Sequence, residues 1–232
     1  MDFTYLLFVM APAMLLSGVA SWMVRSTFSR YEGATTRRGM TGAQAADAML
    51  RHAGVVGYSI EPVSGRLSDH YDPRTRTLRL SEAVYGSRSI SAIGVACHEA
   101  GHAIQHANSY AWLGLRSNLV PVTQIASNLG MPIIFAGFIL AQLAPALGQM
   151  ALLVGVACFA IAFLFAFVTL PVEWDASARA KRAMAEQGLL DRDELDGANK
   201  VLNAAFLTYL AAAISALLTL LYFLMRSGLL RR

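Results

Sequence analysis

Charge is what this chain lacks, and the shortage is local. Lys and Arg number 19 and Asp and Glu 15, so only 15% of its 232 residues are charged. Residues 3–24, 117–172 and 201–225, stretches of 22, 56 and 25 residues, contain no Asp, Glu, Lys, Arg or His. The remainder carries about one charge in four, the density of an ordinary soluble domain. A bilayer span needs about 20 apolar residues. The first and third stretches each fit one span and the middle one fits two, so four transmembrane helices are expected. A simple soluble globule and a disordered chain are both excluded. Cysteine is also scarce. Cys97 and Cys158 are the only two, one expected in a soluble helix and one in a span, so they are not expected to pair and no disulfide scaffold is available. The net charge of +4 comes without a Lys/Arg run or interleaved aromatics. It is read as membrane orientation and not as nucleic-acid binding. There are no repeats and no low-complexity segments.

The first apolar stretch has some features of a signal peptide, with Gly18 and Ala20 just before Ser21. Its start carries Asp2 and no basic residue, and the run exceeds the usual apolar region of such a peptide. A retained anchor is expected. Ten basic residues near the span ends fall on the two long polar loops: Arg25, Arg30, Arg37, Arg38, Arg116, Arg179, Lys181, Arg182, Arg192 and Lys200. Arg226, Arg231 and Arg232 fall on the other side. Basic residues favour the cytoplasm, so both loops are expected there, with both termini outside.

The expected fold is mainly α, a polytopic membrane protein with about four transmembrane helices and a small α/β domain inserted between the first and second. Spans are placed at residues 3–24, 119–143, 149–172 and 201–225. Residues 25–118 form the larger soluble segment and residues 173–200 a cytoplasmic helical one. Within the former, Thr41 and Gln44 read as a capping box for a helix through Ala53 that Gly54 stops. Strands are expected at residues 55–61, ended by Pro62, at 66–71 and at 77–80, with a turn over Asp72-Pro73-Arg74-Thr75 between the last two. From about Ser89 to Ala107 the pattern is helical, with Ile90, Ile93, Cys97, Ala100 and Ile104 on one apolar face. Residues 144–149 are the expected turn between the middle spans. A helix continuing from the third span is expected to run through Gln187 and stop at Gly188. Asp191 and Glu194 mark the start of the last helix.

On the helix around residue 100 lies His98-Glu99-Ala100-Gly101-His102, the pattern H-E-x-x-H. Positions i and i+4 share a helix face one turn apart, so both imidazoles can bind one Zn2+. Glu99, next to the first histidine, is placed to accept a proton from a water that the metal activates. A catalytic zinc needs a third protein ligand and an open position. His106 continues the i+4 ladder but lies about 12 Å along the axis from His98, too far for one ion on a straight helix. It is read as a solvent-facing or supporting residue. Glu173 is the best candidate for the third ligand, because it is the first charge after the 56-residue stretch, where a carboxylate is costly unless paired or coordinated. Asp175 is its rival, but at i+2 it faces another side of a helix. His70, Asp69 and Asp72 are weaker rivals. A non-catalytic membrane scaffold holding a structural zinc is the alternative reading. It is disfavoured because structural sites use four protein ligands, often cysteines, and no CxxC is present. A transporter is disfavoured because the spans contain no charged residue for an ion path.

Residues 65–83 (GRLSDHYDPRTRTLRLSEA), 97–107 (CHEAGHAIQHA), 115–121 (LRSNLVP) and 169–180 (TLPVEWDASARA) resemble the bacterial YugP-type membrane zinc metallopeptidases. The likeness covers nearly the whole chain. More distantly the chain is similar to HtpX and the CAAX prenyl endopeptidases. The resemblance implies a zincin-like, gluzincin-type site with Zn2+ held by His98, His102 and Glu173 and with Glu99 as general base. It also implies a strand beside the site, residues 77–80, that pairs with an extended substrate. The distant relatives carry E-x-x-x-D, whose Asp orients a zinc-binding histidine. Here that position is Ser177, a weaker acceptor.

The expected chemistry is hydrolysis of a peptide bond in membrane-associated or unfolded polypeptides. A donor to the developing oxyanion is expected, with His70, Tyr71 and Arg179 as candidates. Gln124, Ser127 and Asn128 on the second span are read as groups that bond between helices, with a path from the bilayer to the zinc as the alternative.

Overall fold

The structure is a computed structural model that describes residues 3–228. Asp2, Arg231 and Arg232, which enter the anchor and orientation arguments, lie outside the described residues. The chain is mainly helical. Helix α1 (Phe3–Tyr5), a π-helical stretch (Leu6–Met10) and α2 (Ala11–Glu32) follow one another without a break. Then come α3 (Gly42–His52), β1 (Ser59–Val63), β2 (His70–Asp72), β3 (Thr77–Ser81), α4 (Glu82–Tyr85) and α5 (Ile90–Ala107). Three long helices complete the chain: α6 (Ala111–Leu143), α7 (Pro145–Glu186) and α8 (Arg192–Arg226). Among the described residues four helices are long and apolar enough to cross a membrane: Phe3–Glu32, α6, α7 and α8.

The described residues divide into two compact units. One comprises Ala20–Gly114 with Pro171–Thr208 and the other the remainder. In the latter, Tyr5, Val9, Ile134, Leu152, Val156, Tyr222 and Phe223 form a small apolar core. Phe159 stacks on Phe223 with ring centroids 4.9 Å apart. Large apolar side chains such as Leu15, Ile125, Ile139 and Leu143 stay exposed, as surfaces that meet lipid do. Gln124, Ser127 and Asn128 are exposed as well. Among the described residues they make no hydrogen bond to another helix.

The other unit has a denser core. Met49 and Leu50 of α3, Leu78 and Leu80 of β3, Ile93 and Cys97 of α5, and Met184 of α7 are almost wholly excluded from solvent. Thr41 caps α3 by accepting from Gln44 N, and the Gln44 side chain accepts from Thr41 N. Gly54 takes the left-handed conformation (φ 70°) just beyond the helix. Ser89 caps α5 by accepting from Ala92 N. These are the local signals the sequence carries.

The three strands lie in the order β1-β3-β2, with β1 parallel and β2 antiparallel to β3. Their boundaries differ from expectation. Gly57 is left-handed (φ 71°) and delays the first strand to Ser59, and the strand then runs through Pro62 to Val63. Proline is tolerated there because β1 is an edge strand and need not donate on its outer side. Gly65 and Leu67 have positive φ, which keeps residues 64–69 out of the sheet and shortens β2 to three residues. The expected turn over residues 144–149 contracts to Ala144 alone, because Pro145 begins α7 at a first-turn position that needs no N–H donor. α7 then runs through Glu186, and Gly188 (φ 58°) lies just beyond its end.

Replacing Thr41 with Ala removes one cap acceptor and is expected to cost about 1 kcal/mol. Chemical denaturation of purified protein in detergent measures this, while Arg51→Ala, an exposed residue on the same helix, changes stability by less.

Candidate metal centre

Helix α5 sorts its side chains by period. Ile93, Cys97 and Ala100 enter the apolar core, and the next face carries His98, half-buried, and His102, buried. That face packs on α7, where Glu173 is 2% exposed and Ser177 is buried one turn further on. Gly101 permits the packing. A Cβ there would lie 2.6 Å from the Ala176 carbonyl oxygen, closer than side chains come to backbone, and 3.1 Å from the Ala176 Cα. The x-position glycine of the motif therefore lets the two backbones approach until the histidines meet the carboxylate.

His98, His102 and Glu173 place one donor atom each within 4.8 Å of one another. Glu173 Oε2 is 3.2 Å from His98 Nε2 and 3.5 Å from His102 Nε2. The two imidazoles stand nearly perpendicular, at 82°. Zinc–nitrogen and zinc–oxygen bonds of about 2.1 Å in a tetrahedron set ligand atoms about 3.4 Å apart. Both distances to Glu173 match such an edge. Two imidazoles and a carboxylate are also a zinc donor set that leaves a fourth position open. These residues therefore fit the metal. Burial disfavours the His102 imidazolium, but the hydrogen bond and charge of Glu173, with the charge of Glu99, outweigh it and raise the pKa of His102 above the usual range. The site thus attracts positive charge.

The outer ring nitrogens are also engaged. His98 Nδ1 lies 3.0 Å from Ser177 Oγ. His102 Nδ1 lies 3.0 Å from Gln105 Oε1. The sequence pattern does not single out Gln105. It is fully buried, and its Nε2 donates to the Val172 carbonyl and to Asp175 Oδ2, each at 2.8 Å. A polar residue on the buried face of a helix, three positions after a motif histidine, is the signal available in sequence. Asp175 also accepts from Arg179 Nε at 2.6 Å, and the Arg179 guanidinium lies over the Tyr110 ring.

The remaining candidates are distributed as follows. Glu99 is 8% exposed, and its carboxylate makes no hydrogen bond or ion pair among the described residues. Tyr71 on β2 lies with its hydroxyl 2.8 Å from His106 Nδ1, which ties β2 to α5. Burial pushes the Tyr71 phenol pKa up, so it is neutral at physiological pH. His70 is exposed, with its ring held by the Ser68 carbonyl at 2.8 Å. Asp69 accepts from Ser81 N and Oγ, and Asp72 accepts from Arg74 N in the turn. Both serve the hairpin. Burial raises the Cys97 thiol to about 12, so it offers no thiolate near neutral pH. β3 pairs with β1 over residues 77–81 and with β2 over residues 77–79, so those three residues offer no free edge to an extended substrate.

A model of the family described as "Putative neutral zinc metallopeptidase" matches residues 6–228. The chain is 44% identical over 220 residues to a Bacillus subtilis (strain 168) protein named "Putative membrane protease YugP". That match covers 94% of this chain and 95% of the relative. No solved structure matches the chain.

Gly101→Ala tests the close packing. Its methyl group forces α5 and α7 apart, and zinc affinity is expected to fall by at least about tenfold, the scale at which displaced ligand support is felt. Competition with a chromophoric chelator measures it. Gly114→Ala, where a Cβ meets nothing within 4 Å, leaves the affinity unchanged.

Proposed function

The chain belongs to the "Putative neutral zinc metallopeptidase" family, and from that premise we propose that it is a zinc-dependent membrane endopeptidase of membrane-associated or unfolded polypeptides. The observation that carries the reading is the convergence of His98, His102 and Glu173 beside Glu99. In this reading residues 3–24, 119–143, 149–172 and 201–225 cross the bilayer. Residues 25–118 form the zincin-like segment between the first two spans, and residues 173–200 supply the third ligand. The ten basic residues on the two polar loops favour a cytoplasmic face for both, in the plasma membrane of a bacterium.

His98 and His102 present Nε2, and Glu173 an oxygen, to one ion. Zn2+ bound there supplies Lewis-acid polarisation of the scissile carbonyl and lowers the pKa of water to about 7. Glu99 takes the proton of the attacking water and delivers it to the amide nitrogen as the C–N bond breaks. Its carboxylate is uncommitted, which suits a base that must turn between two partners. Among the candidate oxyanion donors, Tyr71 is favoured. It is neutral, half-buried, and linked to the motif helix through His106. Arg179 is engaged by Asp175, and His70 is exposed. The sheet's free edges belong to β1 and β2. β2, joined to α5 by Tyr71, is the edge on which an extended substrate is expected to pair.

Glu99→Gln is expected to retain zinc and to lose peptide hydrolysis by at least about a hundredfold. Glu173→Ala is expected to lose both. Zinc content and cleavage of an unfolded casein, measured on the same preparations, separate the two. A Glu99→Gln protein as active as wild type would remove the proposed base, and full zinc occupancy in Glu173→Ala would remove the third ligand. Tyr71→Phe should lower kcat by about ten- to a hundredfold without changing zinc content.

A further inference from the structure

Gln105 belongs to no motif, yet it is the most completely bonded polar side chain at the site. Its amide nitrogen has two hydrogens, and both are used. One goes to the Val172 carbonyl and one to Asp175 Oδ2, each at 2.8 Å. Both partners can only accept, the first as a carbonyl and the second as a carboxylate. The amide therefore has one satisfactory orientation, with Oε1 directed at His102 Nδ1, 3.0 Å away. An acceptor facing Nδ1 requires the proton to be there. In a neutral imidazole the other nitrogen then carries the lone pair, and that nitrogen is Nε2, the atom beside Glu173.

The reversed amide would do the opposite. Its NH2 group would face Nδ1, which would have to accept, and the imidazole proton would move to Nε2. An N–H cannot ligate a metal. The reversed amide would also set Oε1 against two acceptors inside a fully buried pocket, where unpaired polar groups are costly. Arg179 holds the far end of the network through Asp175 Oδ2 at 2.6 Å.

We propose that Gln105 is a positioning residue, oriented by Asp175 and the Val172 carbonyl, which holds His102 in the tautomer that presents Nε2 to the metal. The proposal rests on the zinc peptidase reading and adds to it a polarity. The hydrogen bonds run outward from the metal, from His102 to Gln105 and from Gln105 to Asp175, where they meet the bond that Arg179 donates. The same network gives Arg179 a role that requires no contact with substrate. It also explains how Asp175 can matter at the centre while facing a different side of α7 from Glu173.

The test uses the purified full chain in detergent, with zinc affinity read by chelator competition and folding read by a thermal melt. Gln105→Met keeps the size of the side chain and removes all three hydrogen bonds. It should weaken zinc binding by about 10- to 100-fold, the usual effect of removing such a partner. Asp175→Ala removes the acceptor that Gln105 and Arg179 share and should weaken binding in the same range. It acts at a partly exposed side chain, so it reads the network even if Gln105→Met unfolds. The 15N shifts of His102 in the metal-free protein, read where the ring is neutral, report the tautomer: a protonated Nδ1 in wild type, and loss of that preference in the folded single variants. A role in packing alone would not move the tautomer. Folded single variants with wild-type affinity, or folded singles that weaken while His102 keeps the wild-type tautomer, would overturn the proposal. Failure of wild type itself to bind zinc would instead overturn the peptidase reading.

Discussion

A carboxylate that is 2% exposed must be compensated, and at Glu173 the compensation comes from two imidazoles. An uncompensated charge in such a place costs several kcal/mol. Glu173 therefore fixes which face of α5 packs on α7, and the other features of the site follow from that requirement. Gly101 has no Cβ, so the Ala176 carbonyl can approach. Ser177, one turn beyond Glu173, meets the outer nitrogen of His98. Gln105, three residues beyond His102, reaches back to the Val172 carbonyl of the same helix turn. The helix pair is zipped by four consecutive contacts that are polar or sterically exacting, and a slip of one residue would break all of them.

The rest of the same unit holds α5 from its other side. The apolar face through Ile93, Cys97 and Ala100 is sealed by α3, β3 and α8 residues. Ser89 fixes where the helix begins. Tyr71 and His106 bring β2 to its C-terminal end. The helix thus has a structural face and a chemical face. The i+4 spacing that serves metal binding also keeps the histidines off the apolar stripe.

Much of this was legible in sequence because it is local. The capping box at Thr41 and Gln44, the helix from Ser89 and the stop at Gly54 each depend on residues within one turn. Glu173 was legible for a different reason. It is the first charge after 56 residues without one, so its cost was visible before its partner was. The strands were read less well. Pro62 ends a strand only if both edges must donate, and no local pattern states that β1 lies at the edge. The order β1-β3-β2 depends on a parallel pairing of Ser59–Val63 with Thr77–Ser81, which sequence spacing does not encode. Gln105 was missed because its partners Val172 and Asp175 lie 67 and 70 residues away. At the E-x-x-x-S position Ser177 is within reach of His98, and Asp175 is engaged near the other histidine through Gln105.

The account stands on one ion held jointly by α5 and α7. X-ray absorption at the zinc edge of the metal-loaded protein tests this directly. It predicts a first shell of nitrogen and oxygen at about 2.0–2.2 Å, with the multiple-scattering signature of two imidazoles and no sulfur. Glu173→Ala should change that shell. A sulfur shell near about 2.3 Å, or a spectrum with one imidazole or none, would contradict the central claim.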